Sequence, residues 1–199
     1  MTMPERVAPP SLGGRAAADL LFIRETMARS RTFSAVPGWG GVVMGATGLV
    51  GAFVASRQAS PSAWLLAWLA TAAVACVVGL VAMRRKAGLA GETLTGAAGR
   101  RFAASLLAPL GAGALLTAGL WRAGAWELMP AAWLLLYGAA TVTGGAFSVP
   151  AIWRFGLVMM ALGTAALLTP AAWGDLWLAL GFGVVQMGFG LFIARYHGG

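Results

Sequence analysis

Charged residues are scarce in this sequence. Only 10% of the 199 residues are Asp, Glu, Lys or Arg, and 59% are hydrophobic. An ordinary soluble domain is about 25% charged. Because so apolar a chain cannot cover a water-soluble globule with polar side chains, we expect an integral membrane protein whose solvent is lipid.

Cysteine and histidine are almost absent, with only Cys76 and His197. One cysteine excludes an internal disulfide, and one histidine cannot supply a metal centre or a bis-histidine haem. The sequence also contains no nucleophile–base pair, phosphate loop or dinucleotide fingerprint. We therefore predict no enzyme activity, no catalytic residue, no metal and no cofactor, although a bound lipid, pigment or quinone remains compatible with the sequence.

Ionisable residues are also missing from the interiors of six long apolar runs. These runs cover about residues 39–56, 63–83, 102–121, 128–147, 152–168 and 176–194, within a predicted transmembrane domain of residues 38–195. Each run approaches the ~20 residues that a helix needs to cross the hydrocarbon. Glu127, Arg154 and Asp175 fall near run ends, which disfavours an ion-coupled carrier but not a channel for a neutral solute or a lipid-handling protein.

Basic residues concentrate in one loop, between the second and third runs. The loop contains Arg84, Arg85, Lys86, Arg100 and Arg101. The positive-inside rule places it in the cytoplasm, together with both termini. On this topology, 12 of the 14 basic residues lie inside. We therefore predict a multi-pass protein of the bacterial inner membrane, with basic residues that contact membrane lipids rather than nucleic acid.

The N-terminal residues differ from the apolar runs. Residues 1–14 are rich in Pro and Gly and are expected to be a disordered tail. Residues 15–31 have apolar positions three or four apart, and Arg15–Asp19 and Glu25–Arg29 form pairs at i,i+4. This pattern predicts a cytoplasmic amphipathic helix, which could lie on the membrane, dock a partner or pack against the protein itself.

Short loops after the first, third and fifth runs predict three antiparallel hairpins in an all-α membrane protein with six transmembrane helices. The first helix of each hairpin contains four small residues followed by two aliphatic ones, at residues 45–50, 111–116 and 163–168. This similarity could reflect a triplicated hairpin, or the ease with which low-complexity apolar sequence aligns with itself.

Small residues form stripes that predict close helix packing. The predicted packing positions are Gly41, Gly45, Gly48, Gly181 and Gly188. Whether the packing partner belongs to the same chain or to another subunit stays open.

Polar side chains inside the runs are few, and the candidates for an intramembrane contact are Gln186, Thr143 and Tyr137. An interhelical hydrogen bond is the commoner role for such residues, and a ligand contact is the alternative.

Most tryptophans lie near the ends of the runs, where an aromatic belt marks the membrane interfaces. The predicted outer group is Trp64, Trp68, Trp121, Trp126, Trp173 and Trp177, and the inner pair is Trp39 and Trp153.

Three stretches carry a resemblance. They are Phe-Ile-Arg-Glu-Thr-Met at 22–27, Ala-Val-Pro-Gly-Trp-Gly-Gly at 35–41 and Ala-Arg-Tyr-His-Gly-Gly at 194–199. In these three stretches the chain resembles uncharacterised bacterial multi-span membrane proteins. The resemblance implies a bacterial cytoplasmic membrane and no assigned activity.

Two functions remain open. The first is a structural or accessory subunit, or an anchor, in a larger membrane complex, whose partner is another membrane subunit or a soluble protein docked at residues 15–31. The alternative is a small transporter or channel for a neutral or lipidic solute, which requires a polar-lined cavity containing Gln186, Thr143 or Tyr137. A third function, a membrane enzyme acting on lipid, would need Glu127, Asp175 or His197 to converge at one interface. The predicted topology places Glu127 and Asp175 outside and His197 inside, so all three cannot converge.

Overall fold

The structure, a computed structural model, describes residues 19–21, 33–89, 91 and 94–196. Six of its helices are long and apolar enough to cross a membrane, which confirms the predicted number of spans and a multi-pass membrane protein. These helices are α1 (Gly38–Ala55), α2 (Pro61–Leu89), α3 (Ala97–Arg122), α4 (Met129–Gly145), α5 (Pro150–Leu168) and α6 (Ala171–Tyr196). A short 3₁₀ turn, Trp126–Leu128, precedes α4.

The sixth helix is not a uniform α-helix. It begins with a 3₁₀ turn at Ala171–Trp173, continues as an α-helix over Gly174–Leu178, widens into a π-helix over Ala179–Val185, and returns to α over Gln186–Tyr196. A π-helical insertion shifts the direction in which the following side chains point, and such insertions are frequent at functional sites.

Most of the predicted N-terminal region lies outside the described residues. This applies to the tail at residues 1–14 and to nearly all of the amphipathic helix at 15–31, of which only residues 19–21 are described, as helix. His197 also lies outside the described residues.

The helix boundaries follow local backbone chemistry. Pro61 and Pro150 open α2 and α5, where the missing N–H of proline costs no helical hydrogen bond. Gly124, in the loop between α3 and α4, has φ +69°, a left-handed conformation that side chains other than glycine rarely adopt. Gly124 permits the tight reversal between α3 and α4.

Helix contacts bear on the three predicted hairpins. α1 packs on α2 and α3 packs on α4, which are the contacts that the first two predicted hairpins require. The third predicted hairpin is not a packed unit, because α5 packs mainly on α4 and α6 mainly on α1. Glycines explain the choice: a Cβ on Gly138 of α4 would lie 2.7 Å from the carbonyl oxygen of Gly156 in α5, so these backbones touch directly.

The second and third helices lie at the edges of the bundle and make no extended contact with each other. At the end of the bundle that carries the basic loop, here the basic end, residues 33–36 bridge the gap between them; we refer to these residues as the Phe33 segment. The ring of Phe33 stacks on Phe102 of α3 with centroids 4.9 Å apart, and Lys86 Nζ of α2 donates to Val36 O at 2.9 Å.

The Phe33 segment is also held by the loop between α4 and α5. The Phe33 N–H donates to Phe147 O at 2.7 Å, and Ser148 Oγ donates to Phe33 O at 2.7 Å. Phe33 is only 1% exposed. These contacts close the gap between α2 and α3 at the basic end, and nothing in the apolar pattern of the sequence predicted them.

Candidate functional site

A cleft of about 300 Å³ opens between α2 and α3. Residues of α1, α4 and α6 also line it, and every residue that lines it is uncharged at neutral pH. Because α2 and α3 do not pack on each other over this length, the cleft is open on one side, toward the exposed surface of the two helices. The lipid acyl chains would meet the protein on that surface.

Polar side chains of the cleft lining include Tyr137 and Gln186, with the hydroxyls of Thr71 and Thr117. Tyr137 Oη of α4 donates to Gln186 Oε1 of α6 at 3.2 Å. Among the described residues the Gln186 amide nitrogen makes no hydrogen bond, and this part of the chain contains no buried side-chain nitrogen or oxygen that lacks a partner. The amide nitrogen is therefore not completely enclosed, and a Cβ on Gly41 of α1 would lie 3.8 Å from it. Its N–H groups are donors without a partner among the described residues.

The π-helix of α6 positions Gln186. Gln186 is the first residue after the wide turn, and Phe182 within the turn also lines the cleft. A Cβ on Gly48 of α1 would collide with the Phe182 carbonyl, so the wide turn fits only against a glycine. Gly48 was predicted as a packing residue, and it lies where α1 meets the irregular part of α6.

Aromatic rings form one wall of the cleft and the region beyond it. Trp68 and Trp133 line the cleft, and the indole of Trp64 stacks on Trp133 with centroids 5.6 Å apart and planes 5° apart. Trp126 lies against Trp64 at 5.8 Å. We refer to these four residues as the indole cluster.

A carboxylate holds two members of the indole cluster in place. Asp175 Oδ1 accepts from Trp64 Nε1 at 2.8 Å and from Trp68 Nε1 at 3.1 Å. Both tryptophans were predicted to belong to the outer aromatic belt, but they are only 7% and 4% exposed. They are buried because Asp175 satisfies both indole N–H groups inside the protein.

A second pocket, of about 330 Å³, lies at the end opposite the basic end. Glu127, Asp175, Trp64 and Trp126 are among the residues that line it. Within the described part of the chain no three His, Cys, Asp or Glu side chains are grouped to hold a metal ion.

Thr143, the third predicted polar residue, lies outside the cleft and serves the backbone. Its hydroxyl is 2.9 Å from Ser105 O in α3 and 2.9 Å from Ala139 O in its own helix. Ser105 lies four residues before Pro109, which is inside α3. Because proline has no N–H, the Ser105 carbonyl lacks its usual partner, and Thr143 supplies one.

The predicted packing glycines lie in two different environments. Gly41 and Gly45 of α1 face α6, where a Cβ on Gly41 would lie 3.0 Å from Gly190 Cα. A Cβ on Gly181 would collide with the Leu134 side chain of α4. Gly188 differs, because a Cβ there would meet nothing within 4 Å; Gly190, two residues further on, makes the contact with α1 instead.

The basic residues that set the predicted topology lie at the ends of α2 and α3. Arg84, Arg85, Arg100 and Arg101 are exposed, whereas Lys86 is partly buried against the Phe33 segment. None of the five lines the cleft.

Several cleft residues were not singled out from the sequence as site residues. Trp68, Trp133 and Phe182 were not predicted as site residues, because large apolar residues in a membrane helix usually face lipid or pack against other helices. Cys76, the only cysteine, also lines the cleft and is exposed. One available signal was the i,i+4 spacing of Trp64 and Trp68, which puts both indoles on one face of α2.

Comparison with known proteins identifies no relative: no family model, no curated protein and no solved structure matches the chain. The resemblance to bacterial multi-span proteins is therefore supported only at the level of a multi-span membrane protein.

Proposed function

We propose that this protein is a non-enzymatic membrane protein that binds a neutral lipophilic solute in the cleft between α2 and α3 and carries it within or across the bilayer. The observation that supports the proposal is the Tyr137–Gln186 pair in a mainly apolar cleft, where the hydroxyls of Thr71 and Thr117 donate to carbonyls of their own helices. Ligand sites commonly combine apolar walls with a few placed polar groups. The proposed location is the bacterial inner membrane, with both termini in the cytoplasm.

The shape of the cleft supports a solute that arrives from the lipid. The Phe33 segment closes the gap between α2 and α3 at the basic end, and the indole cluster lies toward the other end, where Trp64 and Trp126 line the second pocket. Between them, Cys76 of α2 and Ala114 of α3 line the cleft and are exposed. A molecule dissolved in the acyl chains could enter between the two helices without crossing a polar layer.

Native mass spectrometry of the protein released from nanodiscs tests this function. We expect the wild type to retain a lipophilic molecule of defined mass. Ala114→Trp, which fills the cleft, should abolish retention. Ala112→Trp is the matched control, because residue 112 is exposed on the same helix and does not line the cleft. Equal retention by both variants would contradict the proposal.

An accessory subunit or anchor in a larger membrane complex is the second candidate. Its support is the exposed outer surface of α3, where a Cβ on Gly111 or Gly119 would meet nothing within 4 Å and another helix could approach closely. The helix predicted at residues 15–31 would be the docking element for a further subunit or a soluble protein. In the same spectra, a stoichiometric protein partner in place of a lipophile would favour this candidate.

A further inference from the structure

The lining of the cleft defines the chemistry of its ligand, an inference that rests on the proposed function. We infer that the ligand is an uncharged, elongated apolar molecule with one carbonyl-type acceptor, and that this acceptor bonds the Gln186 amide nitrogen while the apolar body lies between α2 and α3.

The absence of charge in the lining excludes an ionised ligand. Every residue that lines the cleft is neutral. The carboxylate of Asp175 does not line the cleft, and it accepts from Trp64 and Trp68. Burying a carboxylate or ammonium group without a partner of opposite charge is strongly unfavourable. A fatty acid anion or a protonated amine would therefore bind more weakly than a neutral molecule of the same length.

Whether the ligand's polar group is a donor or an acceptor is inferred from the Tyr137–Gln186 hydrogen bond. Tyr137 Oη donates to Gln186 Oε1, which fixes the amide orientation and leaves the amide N–H groups as the donors of the pair that have no partner. An amide nitrogen can only donate. The ligand group that bonds this nitrogen is therefore an acceptor, such as a ketone or ester carbonyl.

The size of the ligand's enclosed part follows from the cleft volume. The cleft holds about 300 Å³, or roughly ten molecules of liquid water at ~30 Å³ each. An apolar segment of about ten carbon-sized groups fills it, and any longer tail would continue into the lipid between the two helices.

Three probes of equal chain length separate these claims: undecane, 2-undecanone and undecanoate. Binding is measured in nanodiscs by native mass spectrometry, and the site is monitored by the rate at which N-ethylmaleimide modifies Cys76. This cysteine is the only one in the chain and lines the cleft, so a bound probe should slow its reaction.

We expect 2-undecanone to bind the wild type roughly three- to thirtyfold more tightly than undecane, the range that one hydrogen bond in a membrane protein gives. Gln186→Leu should remove this difference while undecane still binds. Tyr137→Phe, which leaves the amide in place without its orienting partner, should reduce the difference. Thr164→Val is the control, because the Thr164 hydroxyl bonds only Met160 O of its own helix and should leave the difference unchanged.

Other outcomes would overturn the inference. Equal protection of Cys76 by undecane and 2-undecanone would contradict the role of Gln186 and leave the proposed function standing. Tightest binding of undecanoate would contradict the exclusion of charge. If no probe protects Cys76 and Ala114→Trp changes nothing, the inference and the proposed function are both wrong.

Discussion

At the scale of single residues, the polar side chains within the spans have distinct roles that their residue types alone did not reveal. Gln186, Thr143 and Tyr137 were all predicted as possible intramembrane contacts. Tyr137 and Gln186 meet in the cleft, whereas Thr143 supplies a donor to the Ser105 carbonyl that Pro109 leaves without a partner. This role could not be predicted because it requires knowing which turn of α3 faces which turn of α4.

The Thr143 bond gives a stability prediction. Thr143→Val should lower the free energy of unfolding by about 1 kcal/mol, because the Ser105 carbonyl loses its donor in an apolar environment. Pro109→Ala restores the backbone N–H that serves Ser105 O. In the Pro109→Ala background, Thr143→Val should lower the free energy of unfolding by much less. Unfolding in mixed dodecyl sulfate micelles measures all four members of this double-mutant cycle. Strict additivity of the two changes would show that the hydroxyl does not serve the carbonyl.

At the scale of helices, hydropathy predicted how many spans exist, but glycine faces decide which spans touch. The short loop between α5 and α6 brings their ends together, and this predicted a third hairpin. Close backbone approach is instead made at glycines, for example between Gly138 and Gly156 and between Gly41 and Gly190. A loop constrains only the ends of two helices, whereas packing acts along their whole length.

The contrast between Gly45 and Gly188 tests this account. A Cβ on Gly45 would lie 2.7 Å from Met187 N and 2.8 Å from Gly183 O, whereas a Cβ on Gly188 would meet nothing within 4 Å. Gly45→Leu should therefore destabilise the protein by about 1–3 kcal/mol or more through overpacking against α6. Gly188→Leu should change stability little, since its side chain would extend into free space. The same unfolding assay compares the two variants, and equal losses would contradict the assigned helix contact.

At the scale of the whole molecule, the distribution of basic residues predicts an orientation. The loop between α2 and α3 is expected in the cytoplasm, and the loop between α1 and α2 outside. The cleft itself was not predictable, because it is a gap between two helices that do not pack on each other. Neither the hydrophobic periodicity nor the charge distribution of a sequence indicates which helices lack a contact. Tyr137 and Gln186 were predicted only as candidates for an intramembrane polar contact.

Single cysteines in a Cys76→Ala background test the orientation. Thr95→Cys and Ala59→Cys lie in the two loops, and both positions are exposed. A membrane-impermeant maleimide added to intact spheroplasts should label Ala59→Cys and should label Thr95→Cys only after the membrane is opened. The reverse pattern would invert the predicted topology.

The indole cluster has an optical consequence. Trp64, Trp126, Trp133 and Trp68 have neighbouring centroids 5.6–6.5 Å apart, and they are four of the nine tryptophans in the chain. Indoles this close exchange excitation energy before they emit, so the intrinsic fluorescence and the near-ultraviolet circular dichroism of the protein are weighted toward this one region. Trp68 and Trp133 also line the cleft, so the protein carries an unlabelled spectroscopic reporter at the wall of its own candidate site.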